Sequence, residues 1–307
     1  MKHDQLINIR SLTVSFPIKG DLIPVVDQVS FSILSGEILA LVGESGCGKS
    51  QIALALMGLN SQKAVVKLQG EGLERTKAMI FQEPMTALNP VISIGEQVRE
   101  AIPQKKERTK DKVYELLRSV RITRPEKRYN QYPHEFSGGM RQRVLIAAAL
   151  ARQPQVLIAD EPTTALDVTI QSQIIALLRS LNQEMGLSIL FITHDLDLVK
   201  KFGNRIMVMY AGRIVESGPT DQVLNNSRHP YTADLLRLAA LEKNEEGKFP
   251  AIPGAVPTLR DYPSGCCYHP RCVLAKEDCK TGIPLKNSEG AHHWDCNYSL
   301  PGRVTSN

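Results

Sequence analysis

Aromatic residues are scarce in this sequence, at 5%, and there is a single tryptophan, Trp294. That argues against a surface for single-stranded nucleic acid, which needs rings for bases to stack on. Long apolar runs are also missing. The longest, Val144 to Ala151, falls far short of the roughly 18–20 residues a membrane-spanning helix requires. The opening MKHDQLINIR contains Asp4 and no apolar core, so it does not read as a secretory signal. No charge of one sign dominates: the net charge is +5 over 307 residues. The excess is local, with thirteen Lys/Arg against six Asp/Glu between Arg99 and Arg143. Without interleaved aromatics that segment reads as a solvated helical face rather than a nucleic-acid patch. Cysteine is nearly absent from the first 265 residues, where only Cys47 occurs; Cys266, Cys267, Cys272, Cys279 and Cys296 crowd the end. With no export signal a reducing compartment is expected, so this cluster reads as metal-binding before disulfide.

What is present suits a soluble α/β protein. Apolar residues make up 42% and charged residues 22%, enough for a sizeable core. The length suggests one large domain, residues 1–240, with an appendage over 241–307. Strands are expected at Leu6–Phe16, Val29–Ile33, Ile38–Val42, Ala78–Phe81, Val156–Ala159 and Ser188–Thr193, and Ile206–Tyr210 and Arg213–Glu216 form a hairpin. Helical patterns follow at Lys49–Leu59, Ile170–Met185, Leu196–Phe202 and His229–Ala240. Between about residues 84 and 154 the pattern is helical and punctuated by prolines, a helical insert in an α/β domain. Glu242–Lys248 is a charged linker. The tail beyond it lacks periodicity and apolar content, so it needs a metal staple or docking on the main domain.

Gly43-Glu44-Ser45-Gly46-Cys47-Gly48-Lys49-Ser50 fits G-x-x-x-x-G-K-[ST] between a buried strand and a helix. Glycines let the backbone close around phosphates, and the N–H groups opening the helix at Gln51 point at the anion. Lys49 is expected on the β- and γ-phosphates and Ser50 on Mg²⁺. Cys47 reads as a small filler. The apolar stretch Val156–Ala159 ends in Asp160-Glu161. Asp160 suits the Mg²⁺ sphere, and Glu161 is then placed to take a proton from the attacking water.

Phe136-Ser137-Gly138-Gly139-Met140-Arg141-Gln142-Arg143 resembles the signature of the ATP-binding cassette (ABC) family. Gln82 resembles its Q-loop, Ala165-Leu166-Asp167 its D-loop, His194 its switch histidine, and Phe16 its adenine-stacking aromatic. FQEPMTALNP, FSGGMRQRV, DEPTTALDVTIQ, HPYTADLL and GCCYHPRC look like the ATPase subunits of oligopeptide, dipeptide and nickel importers. The resemblance runs from about Leu6 to Cys296. It implies a RecA-like core with an antiparallel β-subdomain and a helical subdomain. It also implies an ATPase at the cytoplasmic face of the membrane, with Gln82 joining Ser50 and Asp160 around Mg²⁺. Ser137, Gly138, Gly139 and Met140 would cap the ATP of a second, different ATPase subunit, beside Asp167. Two permease subunits and an extracytoplasmic solute-binding protein complete the expected partners, with no nucleic acid. Coupling to the permeases is expected through Gln82 and residues 83–90. The sequence departs from the family at Met140, usually Gln, and in a shortened stretch from Gly58 to Met79, where a strand or two should be missing. A soluble, non-transport ABC ATPase is the distant alternative, disfavoured by the single cassette and compact insert.

In the tail, Cys266, Cys272, Cys279 and Cys296 lack the tight pairs of structural zinc sites. Irregular spacing suits a [4Fe–4S] cluster, which members of the resembled branch carry here, with Zn²⁺ as the alternative. Cys267 is the odd one out. The solute, peptide or nickel or metal chelate, is chosen by other chains.

Overall fold

The computed structural model describes residues 4–82, 87–164, 166–240, 251–257 and 261–301. The charged linker, Ala165 and residues 83–86, the first half of the coupling segment after Gln82, lie outside the described residues. The strands are β1 (Gln5–Ile18), β2 (Asp21–Leu34), β3 (Ile38–Val42), β4 (Val65–Glu71), β5 (Lys77–Ile80), β6 (Val156–Asp160), β7 (Ser188–Thr193), β8 (Arg205–Tyr210), β9 (Arg213–Pro219), β10 (Lys286–Glu289) and β11 (His292–Asp295). The principal helices are α1 (Lys49–Met57), α2 (Ile94–Ala101), α3 (Lys110–Ser119), α4 (Gly138–Leu150), α5 (Val168–Met185), α6 (Leu196–Phe202), α7 (Thr220–Asn225) and α8 (Pro230–Ala239). They form two compact units.

The first unit gathers residues 1–6, 34–37 and 72–192. Its β5, β6 and β7 run parallel in that order. Every residue of β6 and β7 is buried, as expected of parallel strands covered on both faces. The insert contributes α2, α3 and α4, which pack on one another. Tyr129 seats its ring against Gly95, where any Cβ would lie 2.2 Å from the ring, and its hydroxyl donates to Glu96 at 2.7 Å. Burial and the adjacent Glu96 push that hydroxyl up to about 12. The basic excess is largely a solvated face: Arg99 pairs with Glu96, Lys112 with Glu115 and Arg118 with Glu126, all partly exposed. Asp167 caps α5 by accepting from the Ile170 N–H at 3.0 Å, and Gly186 ends that helix in the left-handed region.

The second unit gathers residues 7–33, 38–71 and 193–307. One sheet has the order β2-β1-β4, with β1 and β4 antiparallel. The shortened stretch after Gly58 therefore still supplies β4. β2 is far longer than the expected Val29–Ile33, because Lys19 and Gly20, both at positive φ, turn the chain straight back from β1. The other strands of this unit run β10-β11-β9-β8-β3. Ala211 and Gly212, also at positive φ, make the β8–β9 turn, where paired positive φ values match the twist of the strands. The tail is not shapeless. β10 and β11 form a hairpin whose β11 pairs antiparallel with β9, so docking, one of the two ways expected for the tail to be held, is present.

Candidate functional site

The phosphate loop grows from the end of β3, whose five residues are all buried. Gly43 sits at φ 156°, and a Cβ there would lie 2.2 Å from the carbonyl oxygen of Met209. Gly48 sits at φ 106°, and a Cβ there would lie 2.7 Å from the carbonyl oxygen of Val25. Neither position accepts a side chain, which is the physical content of the glycine spacing. Cys47 is fully buried, its thiol pushed up by burial, and its carbonyl accepts from the Gly212 N–H at 3.0 Å. It fills space and fixes backbone, as its small-filler reading expects. Lys49, 6% exposed, folds back so that Nζ donates to the carbonyls of Gly43 at 2.8 Å and Glu44 at 3.0 Å. Ser45 and Gly46 are exposed and Ser50 half-buried. Gln51 lies in the first turn of α1, and its side-chain oxygen accepts from Asn60. Phe16 is half-buried on β1.

In the other unit, β6 delivers Asp160, buried, and Glu161, half-buried. Glu161 has φ 45°, unusual for a residue with a side chain, and its N–H donates to the Ile192 carbonyl at 2.9 Å. Its Oε2 accepts from Thr164 Oγ1 at 2.8 Å and from Gln82 Nε2 at 3.2 Å. The structure thus brings Gln82 and Glu161 together. The strained backbone aims the carboxylate while two donors hold it, a common device at reactive positions. Ser137 caps α4 by accepting from the Met140 N–H at 3.4 Å. No acidic residue occupies that first turn. Gly139 is pressed against Ile170, where a Cβ would lie 2.5 Å from Cγ2, and a Cβ on Gly138 would lie 3.2 Å from Leu166 Cδ2. His194 is exposed just after β7.

Several residues that organise the phosphate loop lie in HPYTADLL and GCCYHPRC, two stretches that carry the family resemblance but assign these residues no role in the loop. His229 opens α8, accepting from the Tyr231 N–H at 3.1 Å, and complete burial lowers its pKa to about 4. Tyr231 accepts at its hydroxyl from the Glu44 N–H at 3.0 Å. Arg271 of the tail forks onto the Glu44 carboxylate, at 2.7 and 3.1 Å. Tyr210, Tyr231 and Tyr268 pack as a buried trio in tilted and edge-to-face contacts, with ring centroids 4.6 to 5.2 Å apart. Glu216, 1% exposed, accepts from the N–H groups of Arg228 and His229 and from His292. The local signal for these roles was only a histidine and a proline before a tyrosine, since each works through partners remote in sequence.

Cys266, Cys272, Cys279 and Cys296 line one small pocket with Tyr268, His269 and Leu274. All six cysteines are free thiols. Cys267 is turned elsewhere, its sulfur 3.9 Å from the Tyr210 carbonyl oxygen and pushed up to about 12 by burial. Among the described residues no three His, Cys, Asp or Glu side chains are gathered tightly enough for a single metal ion. That geometry supports neither of the metals expected for the tail, the iron–sulfur cluster or zinc.

Residues 26–164 match the family described as ABC transporter, and residues 215–279 match the oligopeptide/dipeptide transporter C-terminal region. A putative peptide import ATP-binding protein of Brucella abortus (strain 2308) is 42% identical, covering 98% of this chain and 97% of that protein. The dipeptide transport ATP-binding protein DppD of Haemophilus influenzae is also 42% identical, covering 96% of each chain. The chain belongs to the ABC transporter ATP-binding proteins of the oligopeptide/dipeptide branch. The solved ATP-binding cassette MJ0796, a dimer with ADP and phosphate, is 27% identical with a TM-score of 0.58, covering 70% of this chain and 98% of that one. The cassette cbiO1 of Clostridium perfringens, part of the transporter complex cbiONQ, is 26% identical with a TM-score of 0.61, covering 72% and 90%. As an ABC cassette with the P-loop NTPase fold, this subunit binds ATP and couples its hydrolysis to transport. Among the described residues no helix is long and apolar enough to cross a membrane.

Proposed function

We propose that this subunit powers uptake of di- and oligopeptides. The observation that carries the reading is the joining of a phosphate loop and an Asp160-Glu161 strand end to a C-terminal region of the peptide-transporter type in one chain. Glu44, Ser45, Gly46, Cys47 and Gly48 would wrap the phosphates, with Lys49 and the N–H of Gln51 facing them. Phe16 would stack on adenine. Mg²⁺, held by Ser50, Asp160 and Gln82, would neutralise phosphate charge. Glu161 takes the proton of the attacking water, and His194 reads the γ-phosphate after β7. Ser137 to Met140 close over the ATP of a second ATPase subunit, with Asp167 at the same junction; a distinct partner subunit makes the pair a heterodimer. Gln82 passes the nucleotide state to two permeases at the cytoplasmic face, which a solute-binding protein feeds. Residues 1–240 form the cassette, with 84–154 as its helical part, and 241–307 the extension. The test removes the gene and measures uptake of labelled tripeptide and labelled nickel, then identifies chains that copurify with the tagged subunit. Loss of tripeptide uptake with permease copurification is the expected result. Loss of nickel uptake alone would move the assignment to a metal importer, and copurification without permeases to a soluble ATPase.

The donor chemistry of the cysteine pocket motivates a second, narrower reading, a [4Fe–4S] cluster. Four thiols from separate stretches line one pocket, and the residues suit such a cluster, which takes thiolate ligands. Burial and neighbouring cysteine sulfurs raise Cys266 and Cys272, and push Cys296 up to about 11. A cationic centre relieves both penalties, because a coordinating thiol is held deprotonated. Protein purified without oxygen should be brown and hold about four irons per chain, with colour lost in the Cys296→Ser variant. One zinc per chain, or no metal with six reactive thiols, would remove the cluster.

A further inference from the structure

Glu44, the second residue of the phosphate loop, is held from the tail. Arg271 is almost wholly buried, its side chain 4% exposed against 26% for Glu44. Its Nη1 donates to Glu44 Oε2 at 2.7 Å and its Nη2 to Oε1 at 3.1 Å. The guanidinium is held in turn by the Pro253 carbonyl, on which Nε donates at 2.9 Å, and by the Tyr210 hydroxyl at 3.4 Å. A bidentate, desolvated fork of this kind fixes direction as well as distance. Arg271 ends the short turn His269–Arg271, which lies between two pocket cysteines. The His269 N–H donates to the Cys266 carbonyl, and the Cys272 N–H to the His269 carbonyl. The place of the guanidinium is therefore set by the cysteine-lined segment.

We propose that Arg271 is a positioning residue for ATP: through Glu44 it keeps the start of the phosphate loop in its binding form, so nucleotide affinity depends on the fold of the tail. The inference rests on the ATPase reading. Lys49 also braces the loop by donating to the carbonyls of Gly43 and Glu44. The Arg271 fork and the Tyr231 hydroxyl on the Glu44 N–H do not involve Lys49, so they hold the loop independently of that ammonium. Losing them raises the cost of shaping the loop, which appears as weaker binding rather than slower chemistry.

The test uses the full chain and Mg–ATP. Calorimetry on Arg271→Ala and Glu44→Gln should show affinity weakened roughly tenfold to a hundredfold, with the double variant no worse than the weaker single, because the two act as one unit. Arg271→Lys, with one contact in place of a fork, should fall between. For Arg271→Ala the KM for ATP should rise in step while kcat at saturating ATP stays within about threefold. A merely structural anchor would lower the melting temperature and leave affinity alone. Affinity within twofold of the parent in folded Arg271→Ala, or losses that multiply in the double variant, would overturn the proposal. If Arg271→Ala does not fold, Glu44→Gln decides, since it leaves the tail sequence intact: unchanged affinity there overturns it. A parent chain that binds no ATP would instead sink the ATPase reading.

Discussion

Glu161→Gln should bind ATP like the parent chain and scarcely hydrolyse it. The side chain sits where two donors, Thr164 at 2.8 Å and Gln82 at 3.2 Å, hold one carboxylate oxygen. Glutamine has the same shape and still offers an acceptor to Thr164, so the local structure should survive. What it lacks is a basic oxygen. A general base contributes about 10²–10⁴ to a rate, so phosphate release at saturating Mg–ATP should fall by about that factor. ATP affinity should stay within a few-fold, since the phosphate loop belongs to a different stretch of chain. A loss of turnover below about tenfold would show that another group takes the proton and that Glu161 is only part of the frame around Gln82.

The site was legible where one short stretch of sequence carries a whole physical demand. Gly43 and Gly48 are required by close backbone approach, and that demand is written in their own positions. Buried parallel strands such as Ser188–Thr193 read directly as apolar runs, and the left-handed Gly186 marked the end of α5. The β8–β9 hairpin was visible in Ala211-Gly212. Less legible was anything settled by distant partners. Lys19-Gly20 does not announce the turn that extends β2 back to Asp21, because lysine only tolerates the positive φ it adopts there. The polar β10–β11 hairpin has no hydrophobic alternation, since its strands take their place from the edge of β9. Glu44 passed as an unspecified position of the loop and Arg271 as one letter in a cysteine cluster. Their pairing spans more than two hundred residues and no local pattern could show it. His292, which stands near the cysteines in sequence, turns out to serve the buried Glu216 instead.

Tyr268→Ala should destabilise the second unit by about 3–5 kcal/mol, the range for removing a large buried aromatic ring. The tail has too little apolar material for a core of its own, so it borrows one. Tyr268 is fully buried, lying 5.1 Å from the Tyr210 ring on β8 and 5.2 Å from the Tyr231 ring on α8. Its hydroxyl donates to Asp234 at 2.5 Å. Alanine leaves a void between those two rings and strips Asp234 of that donor. Neighbouring backbone, tied by the Arg271 N–H to the Tyr268 carbonyl at 3.0 Å, cannot collapse into the void without dragging the turn that carries Arg271. Tyr268→Phe keeps the ring and should cost only about 1–3 kcal/mol, the penalty of an unmet buried polar partner. Urea unfolding of the three proteins, followed by tyrosine fluorescence, reads the difference. If Tyr268→Ala loses less than about 1 kcal/mol, the tail is loosely held and cannot be a structural wall of the nucleotide unit. A large loss that Tyr268→Phe mostly avoids identifies the ring itself as the peg joining the cysteine segment to the strand and helix behind the phosphate loop.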